Sequence, residues 1–262
     1  MPCGWTMARM EGSRQLASRS GHGRALRTHT EYRAALEAAV ARSAIKRLPA
    51  AVLEQLLARG TRLDVPARAV AYRENDPPLC VLVVRGQLRI YATAPDGREF
   101  TLFWANPGEW LGQDLIAGGP IDISAQAVTA VTMHVFPMEL LISLGTTNAA
   151  VTWEIARKTS SRLREAVGWI RMLVFGDLRG RVSQRLLELA FHQPIGAPLV
   201  AVVTQQDLAD SVGSPRSSVA RTLAELRREG LVRSTSHGIL LVRPDRLAPD
   251  PRGLRSDEGS VA

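Results

Sequence analysis

Apolar and polar positions change their spacing twice along the chain, from a helical period to a strand period and back. Residues 31–46 and 50–58 are rich in Ala and Leu at helical spacing, and Gly60 follows them. Further along, apolar residues alternate with polar ones or form short runs between turn sequences. Such strands predict an antiparallel sandwich or small barrel, which either encloses a ligand pocket or is filled by side chains. The predicted strands are Leu79–Val84, Gln87–Thr93, Arg98–Trp104, Ile123–Val128 and Val131–Phe136.

A long amphipathic segment follows the strands. Between residues 148 and 175, apolar side chains recur every three or four positions, which predicts a single helix of roughly 40 Å. This helix is longer than packing against the neighbouring barrel requires, and its apolar seam is typical of a two-stranded coiled coil. We therefore predict dimerisation through this helix, with packing along its own barrel as the alternative. The predicted seam residues are Ile155, Leu163, Ile170 and Leu173.

Gly176 and Asp177 interrupt the long helix. Residues 178–191 return to the helical period, and residues 204–229 have the pattern of a helix-turn-helix. Thr204 is suited to cap its first helix, Gly213 to form the tight turn, and Ser214 to cap the second helix, which begins near Pro215. The predicted inward-facing residues are Leu208, Ala209 and Val212 in the first helix and Val219, Leu223 and Leu226 in the second.

The start of the second helix carries the residues that we predict to contact DNA bases. Arg216, Ser217 and Arg221 face outward there, and a recognition helix presents its N-terminal residues to the major groove, where arginine can pair with guanine. An apparent two-stranded wing at residues 233–242 follows. The combination favours DNA binding over a merely solvated helix surface. Phosphate contacts and positioning are assigned to Thr204, Gln205, Gln206, Ser214, Ser218 and His237.

The patterns divide the chain into parts that differ in charge. Residues 1–47 carry nine Lys or Arg against three Asp or Glu, and residues 177–247 carry ten against seven. Basic ends around a neutral middle indicate a polyanionic partner. The parts are a mobile basic arm (1–30), an effector-type β-roll domain with flanking helices (31–147), a dimerisation helix with hinge (148–176), a winged helix-turn-helix (177–247) and a disordered tail (248–262).

Composition excludes several protein classes. The chain has 262 residues, of which 45% are hydrophobic and 22% charged, which excludes wholesale disorder and fibrous proteins. The longest apolar run, Leu79–Val84, is far shorter than the roughly 20 residues of a membrane-spanning helix, and no secretory leader opens the chain. We expect a soluble, cytoplasmic protein without a membrane partner.

Residues suited to catalysis or metal binding are few. Cys3 and Cys80 form no CxxC motif, and His134 is the single histidine of the predicted barrel. A barrel metal oxygenase would need several histidines and a carboxylate at one place. The sequence also contains no P-loop and no GxGxxG motif. We therefore predict no metal site and no enzymatic activity.

With these elements in place, residues 60–243 resemble the Crp–Fnr superfamily of transcription regulators. Residues 81–90 are similar to the strand–Gly–strand motif of that family, residues 175–182 to its hinge, and residues 212–221 to its recognition helix. The resemblance implies an α+β fold, with an antiparallel jelly-roll of the cyclic-nucleotide-binding type, a long dimerisation helix and a C-terminal winged helix-turn-helix. It places Arg216 and Arg221 on the two base-contacting arginine positions, and Ser217 where an acidic residue usually reads cytosine.

Compared with that family, the chain departs most at the cyclic-nucleotide site. The family uses a Gly-Glu pair that holds the ribose, and an arginine that neutralises the cyclic phosphate. Here Gly112 is followed by Gln113, and Ile123 precedes Ser124 where the arginine is expected. Ala166 and Val167 replace two hydroxyl residues that reach the adenine, and these six residues are the candidate effector pocket. Because burying a phosphate without a cation is costly, cyclic AMP is not the expected effector.

The chain has few of the residues that the iron–sulfur and haem sensors of the family need. An iron–sulfur sensor needs four cysteines and the chain has two, while a haem sensor needs an axial ligand, for which only Cys80 and His134 are candidates in the barrel. A buried inert thiol and a structural histidine are the commoner roles for such residues. We expect neither haem nor an iron–sulfur cluster. An unidentified small-molecule effector and a constitutively competent apo form both stay open.

These inferences predict a homodimer that reads a pseudo-palindromic site on double-stranded DNA. The two recognition helices would lie about 34 Å apart, and DNA binding would weaken steeply with salt. RNA polymerase is a further partner if the protein activates transcription. The alternative is a ligand-binding or partner-binding dimer whose winged domain binds DNA without reading its sequence.

Overall fold

The predicted arm and tail lie outside the part of the chain that the structure describes, apart from residues 28–30. These belong to the first helix, α1 (His29–Arg42), and its N-cap, so the boundary of the arm at residue 30 is wrong. Thr28 and Glu31 form a capping box there, which fixes the start of the helix. The structure is a computed structural model, and the residues that it describes are 28–74, 76–113, 122–190, 198–236 and 238–247.

Two compact units make up the described chain. Each is assembled from segments that are distant in the sequence. The first unit comprises residues 28–74, 76–88, 105–113 and 125–151, and the second comprises residues 89–104, 122–124, 152–190, 198–236 and 238–247.

Helices flank the sheet of the first unit. The helix predicted over 31–46 is divided at Ser43, whose extended backbone ends α1 and whose hydroxyl accepts a hydrogen bond from the N–H of Ile45. A short 3₁₀ helix, Ala44–Arg47, follows. The predicted second helix is present as α2 (Ala50–Arg59), whereas α3 (Met138–Thr147) was not predicted.

Eight strands of the described residues form two four-stranded sheets. One has the order β1-β8-β3-β6, and its strand pairs are antiparallel; the other has the order β2-β7-β4-β5. The five predicted strands correspond to β3, β4, β5, β7 and β8, while β1, β2 and β6 were missed. The bounds are β1 (Thr61–Val65), β2 (Val70–Tyr72), β3 (Cys80–Arg85), β4 (Leu88–Thr93), β5 (Glu99–Ala105), β6 (Trp110–Leu111), β7 (Ser124–Ala127) and β8 (Val131–Phe136).

Cys80 and His134 lie buried in the first unit, each with a side-chain partner. The indole N–H of Trp110 donates to the Cys80 sulfur at 3.1 Å, and the Tyr32 hydroxyl lies 2.6 Å from Nδ1 of His134. A Cβ at Gly60 would stand 2.1 Å from Nε2 of His134, so the ring fits only against a glycine. Burial lowers the pKa of His134 below its ordinary value of 6.5. These contacts indicate structural roles for both residues.

The second unit contains the long helix and the C-terminal elements. Helix α4 spans 27 residues, close to the predicted length. No described helix is long and apolar enough to cross a membrane. The antiparallel β-roll, long helix and helix-turn-helix of the predicted α+β class are all present. The bounds are α4 (Ala149–Phe175), α5 (Leu178–Ala190), β9 (Val200–Ala201), α6 (Gln205–Val212), α7 (Arg216–Arg228), β10 (Val232–Thr235), β11 (Gly238–Leu241) and α8 (Pro244–Leu247).

Candidate nucleic-acid interface

Helices α6 and α7 form the predicted helix-turn-helix, and local sequence explains both ends of α6. The Thr204 hydroxyl accepts from the N–H of Asp207 at 3.0 Å and so caps the helix. Gly213 ends it with φ 62° and ψ 44°, the left-handed conformation that glycine adopts at least cost. Its N–H donates to the carbonyl of Ala209, and α7 starts three residues later.

Ser214 does not cap α7, which corrects the prediction. The N-cap is Pro215, with φ −57° and ψ 142° and no side-chain capping bond. Its carbonyl accepts from the N–H groups of Ser218 and Val219. The Ser214 hydroxyl instead lies 3.2 Å from Nη2 of Arg181, which donates to it. The fixed φ of proline suits the start of a helix, so no serine cap is needed.

Two opposite faces of α7 have the predicted character. Val219, Leu223 and Leu226 are buried, whereas the three proposed base-contacting residues are exposed. Within the described part of the chain, the guanidinium groups of Arg216 and Arg221 form no hydrogen bond or ion pair. All their donors are therefore available to a ligand. The three exposed residues are Arg216, Ser217 and Arg221.

The residues assigned to phosphate contacts lie around the start of α6 and the first turn of α7. Thr204 and Gln206 are exposed, and Gln205 is half-buried. The Gln206 amide donates to Asp210 Oδ1 at 2.8 Å. Ser214 and Ser218 are half-buried, and His237 lies outside the described residues. Helix N-termini attract anions, which is the physical basis of the assignment, and contact with phosphate stays a prediction.

A three-stranded sheet completes the C-terminal domain. Strands β10 and β11 form the predicted hairpin, with Val232 opposite Leu241, and β9 pairs with β11 on its other side. Strand β9 was not predicted, because two residues are too few to show alternation. The Arg227 guanidinium of α7 donates to the Ser234 hydroxyl of β10 at 3.2 Å, and so ties the helix to the hairpin.

The hinge residues connect the long helix to the helix-turn-helix. Asp177 Oδ1 accepts from the N–H of Gly180 at 2.7 Å and caps the start of α5. Arg181 donates through Nη1 to the carbonyls of Leu173 and Gly176, and through Nη2 to Ser214. One guanidinium therefore joins the end of α4 to the residue before the N-cap of α7. Arg181 lies in the segment that resembles the hinge of the family, but its contact with Ser214, 33 positions later, could not be predicted from spacing.

A second arginine cluster joins the β4–β5 hairpin to α6. Arg89 is buried, and its guanidinium donates to the Thr101 hydroxyl at 2.7 Å and to Glu99 at 2.6 Å. It also donates to Asp210 of α6 at 3.4 Å, and Asp207 lies 4.0 Å from its Nε. Burial raises the pKa of Asp210, while hydrogen bonding from Gln206 and the charge of Arg89 lower it. This cluster was also missed, because its members are far apart in sequence.

The burial pattern of α4 corrects the predicted dimer seam. Ile155 is only 7% exposed within a single chain and is therefore removed from the free face, whereas Leu173 is half-buried. Besides Trp153 and Phe175 near its ends, α4 has four large exposed apolar residues at a heptad spacing of four, three and four, which is the spacing of a coiled-coil seam. They are Leu163 (65% exposed), Val167 (47%), Ile170 (58%) and Val174 (66%).

The residues assigned to an effector pocket have mixed environments. Gly112 has φ 77°, and a Cβ there would stand 2.0 Å from the Leu79 carbonyl oxygen, so the position requires glycine. Residues 114–121, which follow Gln113, lie outside the described chain. The pocket therefore stays a prediction. Gln113 and Ser124 are buried, Ile123 is half-buried, and Ala166 and Val167 are exposed on α4.

Comparison with protein families gives two matches that together cover both functional regions. A model of the Crp-like helix-turn-helix domain matches residues 180–249, which include α6, α7 and the hairpin. A model of the cyclic nucleotide-binding domain matches residues 62–148, which include the strands of both four-stranded sheets.

Individual proteins give the same result over most of the chain. The CRP-like cAMP-activated global transcriptional regulator of Mycobacterium tuberculosis is 29% identical over 192 residues, 71% of this chain and 86% of that protein. The cyclic AMP receptor protein of Thermus thermophilus is 32% identical over 173 residues, 66% of this chain and 79% of that protein. The crystal structure of a CRP/FNR-family regulator from T. thermophilus matches with a TM-score of 0.60 at 28% identity, covering 71% of this chain and 96% of that one.

Proposed function

Because this chain belongs to the Crp–Fnr superfamily of transcription regulators, which bind DNA as dimers and are not enzymes, we propose that it reads a two-fold symmetric DNA site without cyclic AMP. The observation that carries the proposal is the pair of exposed, unpaired arginines at the start of α7, Arg216 and Arg221. We assign the protein to the cytoplasm, where bacterial DNA lies.

Base reading is assigned to the first turns of α7. Arg216 and Arg221 have free guanidinium groups, each able to donate to O6 and N7 of a guanine. Ser217 lies between them and is short, so it lets the helix approach the groove closely. Because serine does not accept from cytosine as a carboxylate does, the preferred half-site differs from that of relatives with an acidic residue at this position.

Orientation on the duplex is assigned to phosphate contacts on both sides of α7. Thr204, Gln205 and Gln206 lie at the start of α6, and Ser214 and Ser218 at the start of α7. Such contacts fix the register of the protein on DNA but do not read sequence. They also make binding salt-dependent, because each neutralised phosphate releases counterions.

Pairing of two chains is assigned to the exposed heptad face of α4. Four large apolar residues between 163 and 174 lie on that face, and contact with a second copy would remove them from water. A parallel pair of these helices places two α7 helices on one side of the dimer. This arrangement suits half-sites one DNA turn apart, about 34 Å.

Control by cyclic AMP is not part of the proposal, although two relatives carry the nucleotide in their names. Residues 112–124 contain no Lys or Arg, and Asp114 and Asp122 add negative charge. A cyclic phosphate placed there would lose its hydration without gaining a cation. A different small molecule, or none, sets the activity, and RNA polymerase is a further partner if the protein activates transcription.

Selection of bound duplexes from a random library tests the proposal, with purified dimer and no added nucleotide. We expect enrichment of a symmetric motif by the wild type. The Arg216→Ala variant should enrich a weaker or altered motif, whereas Arg228→Ala, a matched change in the last turn of the same helix, should leave the motif unchanged. Enrichment of no motif by a dimeric protein would overturn the proposal and favour a winged domain that binds DNA without reading it.

A further inference from the structure

An arginine at the centre of the second unit contacts four elements at once. Arg185 lies on α5 and is only 1% exposed. Its guanidinium donates to Glu188 Oε2 at 3.1 Å within α5 and to the carbonyl of Leu102 in β5 at 3.3 Å. The other terminal nitrogen donates to the carbonyls of Thr101 and Ser211, the latter at 3.2 Å in the last turn of α6. Among the arginines that the structure describes, Arg185 is the most deeply buried.

The flat face of the same guanidinium stacks on the long helix. Its central carbon lies 3.5 Å from the ring centre of Trp169 in α4 and 5.3 Å from that of Trp104 in β5. A guanidinium over an indole face is an attractive cation–π contact, which strengthens when water is excluded. Arg185 therefore holds α4 by stacking and α6 by hydrogen bonding.

A purely structural role would be served better by an apolar side chain. Burying a charge costs several kcal/mol before its partners compensate, and apolar replacements of buried ion pairs are often neutral or stabilising. Burial lowers the pKa of Arg185 to about 10, so the group keeps its charge at neutral pH. Arginine differs from an apolar residue in offering five donors in a rigid plane, which fixes direction as well as distance.

Two of the elements that Arg185 joins, α4 and α6, carry the proposed dimer seam and the turn into the recognition helix. Ile170, the neighbour of Trp169 in sequence, is exposed on the proposed seam. Ser211 lies two residues before Gly213, the turn that leads into α7. A short path therefore runs from the seam through Trp169, Arg185 and Ser211 to the recognition helix.

We propose that Arg185 is a positioning residue that fixes the recognition helix relative to the dimer seam and thereby sets the spacing of DNA half-sites that the dimer accepts. The inference rests on the proposed function. Arg185 itself is buried and touches no DNA. A change of one base pair in the spacing shifts a half-site by about 3.4 Å and turns it by roughly 35°. Because Arg185 fixes the position of the recognition helix, the dimer discriminates between such spacings.

The test measures affinity for three kinds of duplex: two half-sites at the spacing that the wild type selects, the same half-sites with one base pair added or removed, and one half-site beside scrambled DNA. The Arg185→Lys variant keeps the charge but loses the planar stack and fork. The Trp169→Leu variant removes the stacking partner and leaves the arginine in place. Arg98→Met, which breaks an exposed ion pair with Asp96 in the turn between β4 and β5, is the control.

We expect Arg185→Lys and Trp169→Leu to lower the affinity ratio between the selected and altered spacings by about tenfold, with single half-site affinity within about twofold of wild type. Arg98→Met should behave as the wild type, because its ion pair stays within the turn between β4 and β5 and contacts neither α4 nor α6. Thermal unfolding and dimer mass are checked first for each variant. If Arg185→Lys does not fold, Trp169→Leu decides, since Trp169 is only half-buried.

Two results would overturn the inference alone. One is an unchanged spacing ratio in both variants, and the other is an equal loss of affinity for all three duplexes, which is the mark of a merely structural residue. A wild type that shows no spacing preference would instead overturn the proposed function, and the inference with it. The wild-type measurement therefore separates the two failures.

Discussion

Arginine side chains have opposite environments in two regions of the second unit. At the start of α7, Arg216 and Arg221 are exposed and have no side-chain partner among the described residues. Where α5 meets α4, α6 and β5, the guanidinium of Arg185 is buried among carbonyls, a carboxylate and two indole rings. The first region is free to bind a polyanion, and the second holds the first in place. The two roles are therefore distinguished by burial and hydrogen-bond partners, and not by residue type.

Removing the buried arginine should give the largest effect and sharpen this comparison. We expect Arg185→Met to lower the free energy of unfolding by about 3 kcal/mol. This value is the low end of the range for breaking a buried ion pair, because the partner side chain, Glu188, is 36% exposed. Adding Glu188→Gln should recover part of the loss by removing the unpaired carboxylate. Denaturant titration measures both. A loss of less than about 1 kcal/mol would mean that the buried arginine contributes no more than a surface residue.

The same contrast between exposed and buried positions applies to two isoleucines of α4. Ile170→Glu should raise the dimer dissociation constant about a hundredfold, roughly 2.7 kcal/mol, because it puts a charge on the exposed seam. Ile155→Ala should lower stability but leave the dimer intact, since that side chain is already buried in its own chain. Analytical ultracentrifugation over a range of concentrations distinguishes them. Dissociation by Ile155→Ala would return Ile155 to the seam, and an intact dimer of Ile170→Glu would contradict pairing through the exposed face of α4.

Removing an exposed arginine should change DNA binding and leave folding unchanged. Arg216→Ala or Arg221→Ala should cost about 1–3 kcal/mol on the selected site, through the loss of contacts to a guanine. The control Arg228→Ala should cost less than either. Fluorescence anisotropy at fixed salt measures the affinities, and thermal unfolding should show no change. Equal losses on specific and scrambled DNA would assign both arginines to phosphates instead of bases.

Replacing the buried histidine of the first unit, His134, should give the smallest effect. His134 is buried in the first unit, where desolvation lowers its pKa, so the unfolded chain takes up a proton more readily than the folded one. Its contribution to stability is therefore present above about pH 6.5 and lost as the pH falls toward the lower folded value. His134→Gln should flatten this part of the pH–stability curve. Arg185 stays charged throughout this range.

Long, periodic segments of the fold could be predicted from the sequence, and contacts between distant segments could not. The helix of residues 149–175 and the α6–turn–α7 motif match their predictions within one or two residues, because periodicity and cap residues are local signals. Strands β2, β6 and β9 have three residues or fewer, too few to show alternation. Helix α3 follows β8 almost directly, without a polar break.

Errors in the candidate site have a similar physical origin. Ile155 and Leu163 share an apolar pattern, and only the packing of the folded chain decides that the first is buried and the second exposed. Ser214 is a good capping residue by type, but Arg181 engages its hydroxyl from 33 positions away. Arg89 and Arg185 act on α6 through partners that no spacing rule connects. Local rules could therefore find the recognition helix, but not the groups that hold it.

The most direct test of sequence-specific reading without cyclic AMP is one pair of titrations. The wild-type dimer is titrated on its selected duplex and on a scrambled duplex of equal length, each with and without cyclic AMP. We expect the selected duplex to bind at least about a thousandfold more tightly than the scrambled one, to the same degree with and without the nucleotide. Discrimination that appears only when cyclic AMP is present, or equal affinity for both duplexes, would contradict the central claim.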